Sequence, residues 1–391
     1  MKQQWQAAKQ VIWQLEEAGF EAVFVGGAVR DALLGRPVHD VDVATSALPV
    51  EVKSVFSKTV DVGIEHGTVL VLDAGEPIEV TTYRTDGEYA DHRRPDGVVF
   101  VRSLEEDLKR RDFTMNAIAM DAEERIIDLY GGRDDIAKNI IRAVGNPSDR
   151  FAEDALRMLR AVRFSAQLGF SIEPATLTAV KEHAHEIAFV AHERIAAELE
   201  KMWVSAAPKT GIDSLVESKL AHHLPGNIAS HQNRWTFFQA DKAAVGWAYL
   251  AFLNKDEQSI VKSYRLSNKI KHFIQNVLTA HNKLQDGWLP FDYFTFEQDV
   301  LETAFDFAVW EGKVLSFQKE EVSRRKAALP IQTRQELAVN GHDFIAWTGG
   351  KGGPWLKEAM EQAVLAVLSG EIENNKEQIR DWFIHDFLTE G

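Results

Sequence analysis

Hydrophobic and polar positions follow two different rhythms along this chain, with the change near residue 135. Before it, short apolar runs alternate with turns; after it, apolar residues recur at helical spacing. A first helix is predicted over residues 3–17 and is stopped by Gly19. Residues 22–25 read as a short buried strand, broken by Gly26-Gly27, and residues 29–34 as the start of a helix. Residues 38–43 alternate as a strand does, with Val41 and Val43 on one side and Asp40 and Asp42 on the other. A short helix is expected at 49–56, then strands at 68–72 and 77–83 joined by the turn Asp73-Ala74-Gly75-Glu76. A charged loop over 84–97, a strand at 98–101, a largely helical stretch at 104–116 and a strand at 125–129 complete the segment. Several strands with few helices between them describe an α+β domain. The remainder reads as all-helical, with one continuous helix over 151–168, further helices at 174–185 and 192–203, and an amphipathic helix at 355–368 after a Gly-rich turn.

Composition narrows the setting. The 391 residues carry a formal net charge of −15, which disfavours indiscriminate binding to polyanions. Any nucleic-acid contact must therefore come from a locally basic face. Cysteine is absent, which excludes disulfides, thiolate metal ligands and a cysteine nucleophile. No apolar run is long enough to cross a bilayer. The opening segment lacks an apolar core followed by a small-residue cleavage site. A cytoplasmic protein with no membrane partner is expected.

Candidate chemistry begins at Asp40 and Asp42. Two carboxylates pointing the same way repel unless a cation lies between them. A pair of Mg²⁺ ions would resolve that, one activating an attacking hydroxyl and the other stabilising a leaving pyrophosphate. On Asp-x-Asp alone, a polar strand edge facing water is the better explanation. The preceding Gly26-Gly27-Ala28-Val29-Arg30-Asp31 shifts the balance. It follows a strand and opens a helix, where free N–H groups favour phosphate oxygens, and Arg30 adds charge-assisted bonds. Glu79 lies on the open face of its predicted strand; it is either a third carboxylate or a solvent-facing residue, and the pattern leaves both open.

Two further stretches carry paired acids and arginines. In Arg110-Arg111-Asp112-Phe113-Thr114-Met115-Asn116, Arg111 is a candidate triphosphate contact and Asp112 a candidate acceptor for a ribose hydroxyl. A salt-bridged helix end explains them equally well. In the helix over 151–168, Ala155, Met158, Leu159 and Val162 share one face. Glu153, Arg157 and Arg160 cluster nearly opposite, flanked by Asp154 and Arg163. Ion pairs such as Glu153 with Arg157 explain the charge. An aspartate and an arginine also offer the donors and acceptors that match the Watson–Crick edge of a base. Residues 84–94 read as a loop over such a site. His183, His185 and His192 form no His-Glu-x-x-His pattern, so a zinc hydrolase is disfavoured.

Taken in order, these stretches resemble the bacterial CCA-adding enzymes, the class II tRNA nucleotidyltransferases of the polymerase-β-like superfamily. The resemblance rests on residues 26–31 with Asp40-Val41-Asp42, on 111–116, on Asp128-Leu129-Tyr130-Gly131-Gly132, on Glu153-Asp154-Ala155-Leu156-Arg157 and on His192-Glu193-Arg194-Ile195. It implies a nucleotidyltransferase head at 1–135, a helical neck at 136–205 bearing a nucleotide-selecting helix, a helical body at 206–325 and a tRNA-binding tail at 326–391. The implied activity is template-independent addition and repair of the 3′-terminal CCA of tRNA from CTP and ATP, with release of pyrophosphate. The implied cofactor is Mg²⁺, with Asp40 and Asp42 as ligands and Glu79 as the third catalytic carboxylate. Gly27, Arg30 and Arg111 correspond to phosphate contacts and Asp112 to the ribose selector. Glu153, Asp154 and Arg157 correspond to the amino-acid template that pairs with CTP or ATP. Arg160 and Arg163 correspond to further nucleotide contacts, and Gly131 and Gly132 to a hinge. A homodimer is compatible with the resemblance. A poly(A) polymerase would carry an arginine-rich signature at 82–87, which is absent. A CC-adding enzyme would lack the loop at 84–95. An A-adding enzyme is not separated by sequence, and a non-enzymatic tRNA-binding protein is disfavoured by the full set of acids and arginines.

Overall fold

Helix α1 (Lys2–Glu17) turns Ala7, Ala8, Val11, Ile12 and Leu15 inward, and all five are buried. Spacing of three and four puts them on one stripe. Trp5 on the same helix stacks on Phe24 with ring centroids 4.5 Å apart. The computed structural model describes residues 2–38, 40–86, 98–313 and 318–388. It comprises two compact units, Met1–Ala243 with Ser263–Arg265, and Ala244–Lys262 with Leu266–Gly391.

In the first unit, the strands of the main sheet are β1 (Ala22–Val25), β2 (Asp42–Thr45), β3 (Thr59–Gly63), β4 (Thr68–Val71) and β5 (Ile78–Thr82). A hairpin of β6 (Arg84–Asp86) and β7 (Val98–Phe100) follows, and β8 (Ile118–Met120) and β9 (Ile126–Asp128) return to the main sheet. Among the described residues that sheet has seven strands, in the order β3-β4-β5-β2-β1-β8-β9. Only β2 and β5 pair in parallel; the other neighbours are antiparallel. One apolar face packs on α1 and α3 (Pro49–Val55), through Val43, Val69, Val71 and Val80. The other packs on α4 (Leu104–Lys109) through Val23, Val25 and Ala44. Helix α2 (Gly27–Leu33) leaves directly from β1.

Four expectations are corrected. The strand predicted at 38–43 begins only at Asp42, so Asp40 and Val41 precede it, although Val41 and Val43 are buried and Asp40 and Asp42 exposed as expected. The predicted loop at 84–97 starts as strand β6; its residues 87–97 lie outside the described ones. The helical stretch at 104–116 ends at Lys109, because the backbone of the buried Phe113 is extended and bridges to Ala143. A single 3₁₀ turn, Thr114–Asn116, follows. Helix 151–168 is interrupted at Asp154, whose backbone is extended at φ −142° and ψ 103°.

The interruption divides it into α6 (Pro147–Glu153) and α7 (Leu156–Leu168), after α5 (Gly132–Ala137). Asp154 accepts the Leu156 N–H at 3.1 Å, so its side chain closes an Asx turn that leads into the second helix. A short carboxylate competing with the helix ladder favours this position. A two-stranded parallel ribbon, β10 (Ile140–Ile141) with β11 (Ser171–Ile172), ties the two sides of α6 and α7 together. Helices α8 (Pro174–His183), α9 (His192–Trp203) and α10 (Pro208–Glu217) complete the part of this unit that positions the site.

The second unit is helical, as expected. The helices at Asn268–Leu284 and Gln298–Trp310 pack side by side, with an aromatic cluster of Tyr249, Phe252, Phe307 and Trp310 beside them. Phe344, Ala363, Val367, Ile379 and Phe383 form a separate core towards the C-terminus. No helix among the described residues is long and apolar enough to cross a membrane.

Candidate active site

Parallel pairing sets Asp42 directly opposite Glu79 in the register. In-register neighbours point to the same face of a sheet, so the two carboxylates stand side by side, with Asp40 two residues before. All three are exposed. Although the residue reaches solvent, the surrounding wall partly desolvates the Asp42 carboxyl and raises it above its ordinary value, and Glu79 raises it further; Arg111 opposes them, and Asp40 adds a smaller push upward. Among the described residues no group of three or more His, Asp or Glu forms a ready metal cage. Mg²⁺ does not require one, since it is held by one or two carboxylates plus substrate phosphates. The donors here are hard oxygens, and their mutual repulsion is what a bound divalent cation would relieve, so the residues fit that group.

Beside Asp42 opens a cleft of about 510 Å³. Its floor is Gly26, Gly27 and Arg30 at the β1–α2 turn; its walls include Arg110, Arg111, Asp112 and Asn116, then Asp154, Leu156, Arg157, Arg160, Arg163, Phe164, Gln167 and Arg194. Seven arginines face three aspartates in this lining. A chain of net charge −15 thus carries a concentrated basic cavity, which suits a triphosphate better than a neutral ligand.

Each arginine is held from behind. Asp107, almost fully buried, takes Arg110 at 2.7 Å and Arg111 at 2.9 Å, through one carboxylate oxygen each. Arg30 donates to Asp31 at 2.9 Å and to Asn116 at 2.7 Å. Arg160 donates to Asp112 at 2.7 Å and Arg163 to the buried Glu198 on α9 at 2.5 Å. Arg194 on α9 holds Asp154 at 2.7 Å. Arg157 reaches the backbone carbonyls of Arg110 at 3.0 Å and Arg150 at 3.1 Å, and pairs with Glu153. The ring of Phe164 lies under three guanidinium groups, with Arg163, Arg30 and Arg160 at 3.7, 5.1 and 5.6 Å from its centroid. Such contacts order a side chain before any ligand arrives.

Asp112 is the most committed acid. Burial would raise its carboxyl, but Arg160, Asn116 and the Phe113 N–H together hold it at about 2. One oxygen accepts from Phe113 at 2.8 Å and Asn116 at 3.0 Å; the other accepts from Arg160.

Of the residues singled out in sequence, Gly27, Arg30, Asp42, Arg111, Asp112, Asp154, Arg157, Arg160 and Arg163 line one cleft. Asp40 and Glu79 lie outside its lining, Glu79 beside Asp42 in the sheet. Glu153 also lies outside it and pairs with Arg150 and Arg157. Gly131 opens α5 with a left-handed φ of 73°, and a Cβ on Gly132 would come within 2.2 Å of the Thr114 carbonyl oxygen. Arg110, Asn116, Phe164, Gln167 and Arg194 also line the cleft but carried no assigned role. Two of them lay inside the quoted 110–116 stretch. Arg194 reaches the cleft only because α9 packs along α7, which no local pattern reveals.

Within the β1–α2 turn, Gly26 rather than Gly27 is the glycine that the geometry demands. It holds φ 70° and ψ −132°, and a Cβ there would meet Arg111 Nη1 at 3.0 Å, whereas one on Gly27 would make only ordinary contact. Gly26→Ala is expected to cost about 1 to 3 kcal/mol of backbone strain and to push Arg111 aside. Calorimetric CTP affinity should fall by about tenfold or more; parental affinity would show that the turn tolerates the methyl.

Comparison with known proteins agrees along the chain. Residues 22–142 match the family described as the Poly A polymerase head domain, 169–229 the RNA and SrmB binding site of polymerase A, and 238–383 tRNA nucleotidyltransferase domain 2. The CCA-adding enzyme of Geobacillus stearothermophilus is 44% identical, over 98% of this chain and 98% of its own length. That of Geobacillus thermodenitrificans is 45% identical, over 100% and 99%. The crystal structure of the Bacillus stearothermophilus CCA-adding enzyme in complex with CTP superposes with a TM-score of 0.88 at 42% identity, covering 100% of this chain and 99% of that one. Identity of this extent over nearly the whole of both chains has one meaning: the chain belongs to the CCA-adding enzymes, class II of the polymerase-β-like nucleotidyltransferases.

Proposed function

We propose that this protein adds and repairs the 3′-terminal CCA of tRNA, taking CTP and ATP and releasing pyrophosphate, without a nucleic-acid template. The observation that carries this reading is the single cleft that joins Asp42 to the Arg111–Asp112 turn and to the Asp154–Arg157 start of α7. Reaction and choice of nucleotide then share one cavity.

Asp40 and Asp42 would hold Mg²⁺, with Glu79 as the third carboxylate. Bound there, magnesium would activate the RNA 3′-hydroxyl and neutralise the departing pyrophosphate. The 3′-oxygen forms its bond to the α-phosphorus as the bond to pyrophosphate breaks. Arg30 and Arg111 bind the triphosphate beside Gly27, and Arg160 and Arg163 add positive charge along α7. Asp112 faces the ribose, and a hydroxyl contact there exchanges with one of its present bonds. Asp154 and Arg157 present an acceptor and donors to the base edge, with Glu153 fixing Arg157. In the four-part division, the body at 206–325 and the tail at 326–391 hold the tRNA. The reading also places the protein in the cytoplasm, and it is compatible with a homodimer.

Purified protein with Mg²⁺, CTP and ATP is expected to extend tRNA lacking CCA by three nucleotides, and by two when ATP is omitted. Long adenosine tails on unrelated RNAs would overturn the assignment. Addition of one A, only to tRNA already ending in CC, would point to an A-adding enzyme.

A further inference from the structure

Asn116 carries no role in the reading above, yet it sits where three of the assigned groups meet. It is buried, on the 3₁₀ turn after the Arg111–Asp112 pair. Its Oδ1 accepts from Arg30 Nη1 at 2.7 Å, and its Nδ2 donates to Asp112 Oδ1 at 3.0 Å. Its backbone oxygen accepts from Arg111 Nη1 at 3.4 Å. A guanidinium only donates and an ionised carboxylate only accepts, so chemistry alone fixes which way the amide points. Arg30 belongs to α2, 86 residues away in sequence. The other oxygen of Asp112 holds Arg160 on α7. The amide is therefore the joint in a continuous relay from Arg30 through Asp112 to Arg160.

We infer that Asn116 is a positioning residue that sets the spacing between the phosphate-facing Arg30 and the ribose-facing Asp112, and so governs the preference for ribonucleotides. This rests on the roles proposed above for those two residues. A nucleoside triphosphate bound in one conformation presents its sugar and its phosphates at one separation. Two recognition groups tied through one rigid amide match that distance only while the amide is present. Without it, a buried carboxylate oxygen and a buried guanidinium N–H lose a partner, and each is free to swing towards others.

The test uses the full chain with Asn116→Ala and Asn116→Asp. For the alanine variant, calorimetric CTP affinity is expected to fall about tenfold or more, and the preference for CTP over 2′-deoxyCTP to shrink by about tenfold. Affinity for inorganic tripolyphosphate, which has no sugar, should fall as well. The aspartate variant keeps the shape and the acceptor for Arg30 but sets two carboxylates 3.0 Å apart. It needs one shared proton to rebuild the bond to Asp112. The charged groups around position 116 are Asp112 and Arg111 from its own segment, Arg30 with Asp31 from α2, and Arg160 from α7 through Asp112; Asp135 of α5 turns to Thr114 instead. CTP affinity of Asn116→Asp relative to the parent should therefore rise as the pH falls from about 8 to about 6, a trend that mere loss of packing does not produce.

Parental CTP affinity and ribose preference in Asn116→Ala would overturn the inference, as would an Asn116→Asp profile parallel to that of the parent. If the alanine variant fails to fold, the isosteric aspartate decides the matter by its pH profile. Asp112→Asn separates this idea from the reading beneath it. If that variant keeps the parental preference for CTP over 2′-deoxyCTP, the ribose role of Asp112 falls. Weakened tripolyphosphate binding by Asn116→Ala would then still show the hold of Asn116 on Arg30.

Discussion

Asp42→Ala is expected to reduce nucleotidyl transfer by at least about a thousandfold, the scale of losing several kcal/mol of metal-borne stabilisation. Of the three clustered acids, Asp42 alone lines the cleft, so its loss separates the metal position from the nucleotide. CTP binding through the arginine wall should persist, and single-turnover extension set beside calorimetry would show the split. Unchanged turnover would remove Asp42 from the chemistry. The same residue sets an opposite demand on stability. Burial first, then Glu79 and Asp40, raise its folded-state carboxyl. A carboxyl raised on folding binds its proton more tightly in the folded state. Its stabilising share is complete below the unfolded value and lost as pH rises through the folded one. Asp42→Asn should therefore raise Tm at neutral pH in the absence of metal. Mg²⁺ should raise the Tm of the parent more than that of the variant.

Arg157→Ala is expected to relax the choice of base by about ten- to a hundredfold, while turnover at saturating CTP changes far less. Arg157 is tied to the carbonyls of Arg110 and Arg150 and to Glu153, and Asp154 is tied to Arg194 and to the first turn of α7. Donors and acceptors fixed in this way discriminate because they do not follow a mismatched base edge. Sequencing of tRNA 3′ ends made from a mixture of all four nucleotides would count the errors. A faithful C-C-A from the variant would show that the choice is made elsewhere.

Much of the head was legible because its signals are local. Strand β1 and helix α9 fall where their apolar patterns place them, and Gly26-Gly27 marks the turn between β1 and α2. Strands β3 and β8 were not read from sequence. The Thr59–Gly63 edge strand does alternate, Val60 and Val62 against Thr59 and Asp61, but it is short and its valines pack on no core, while Ile118–Met120 is buried throughout and too short to show a period. The break at Asp154 escaped because a helical pattern continues across it, and the local event that accompanies it is an Asx turn from Asp154 to the Leu156 N–H. Within the cleft, the arginines stood out by type and spacing. Their anchors did not, since Asp107 reads as an ordinary acid of a short helix and Glu198 as one of several on α9. Only tertiary packing shows that they fix the cavity.

The cleft is assembled from distant parts of the chain, and this gives its two tasks a sequence in time. Asp42 and Glu79 lie on strands made early in synthesis, whereas the Arg194 that fixes Asp154 emerges about 150 residues after Asp42, roughly ten seconds later at ordinary ribosomal rates. A chain released just before α9 carries Asp42, Glu79 and the Gly26-Gly27 turn but lacks the Arg194 that braces Asp154. If Asp154 and Arg157 read the base as proposed, choosing a nucleotide is the later of the two tasks to be completed, since it waits for α9 to dock on α7.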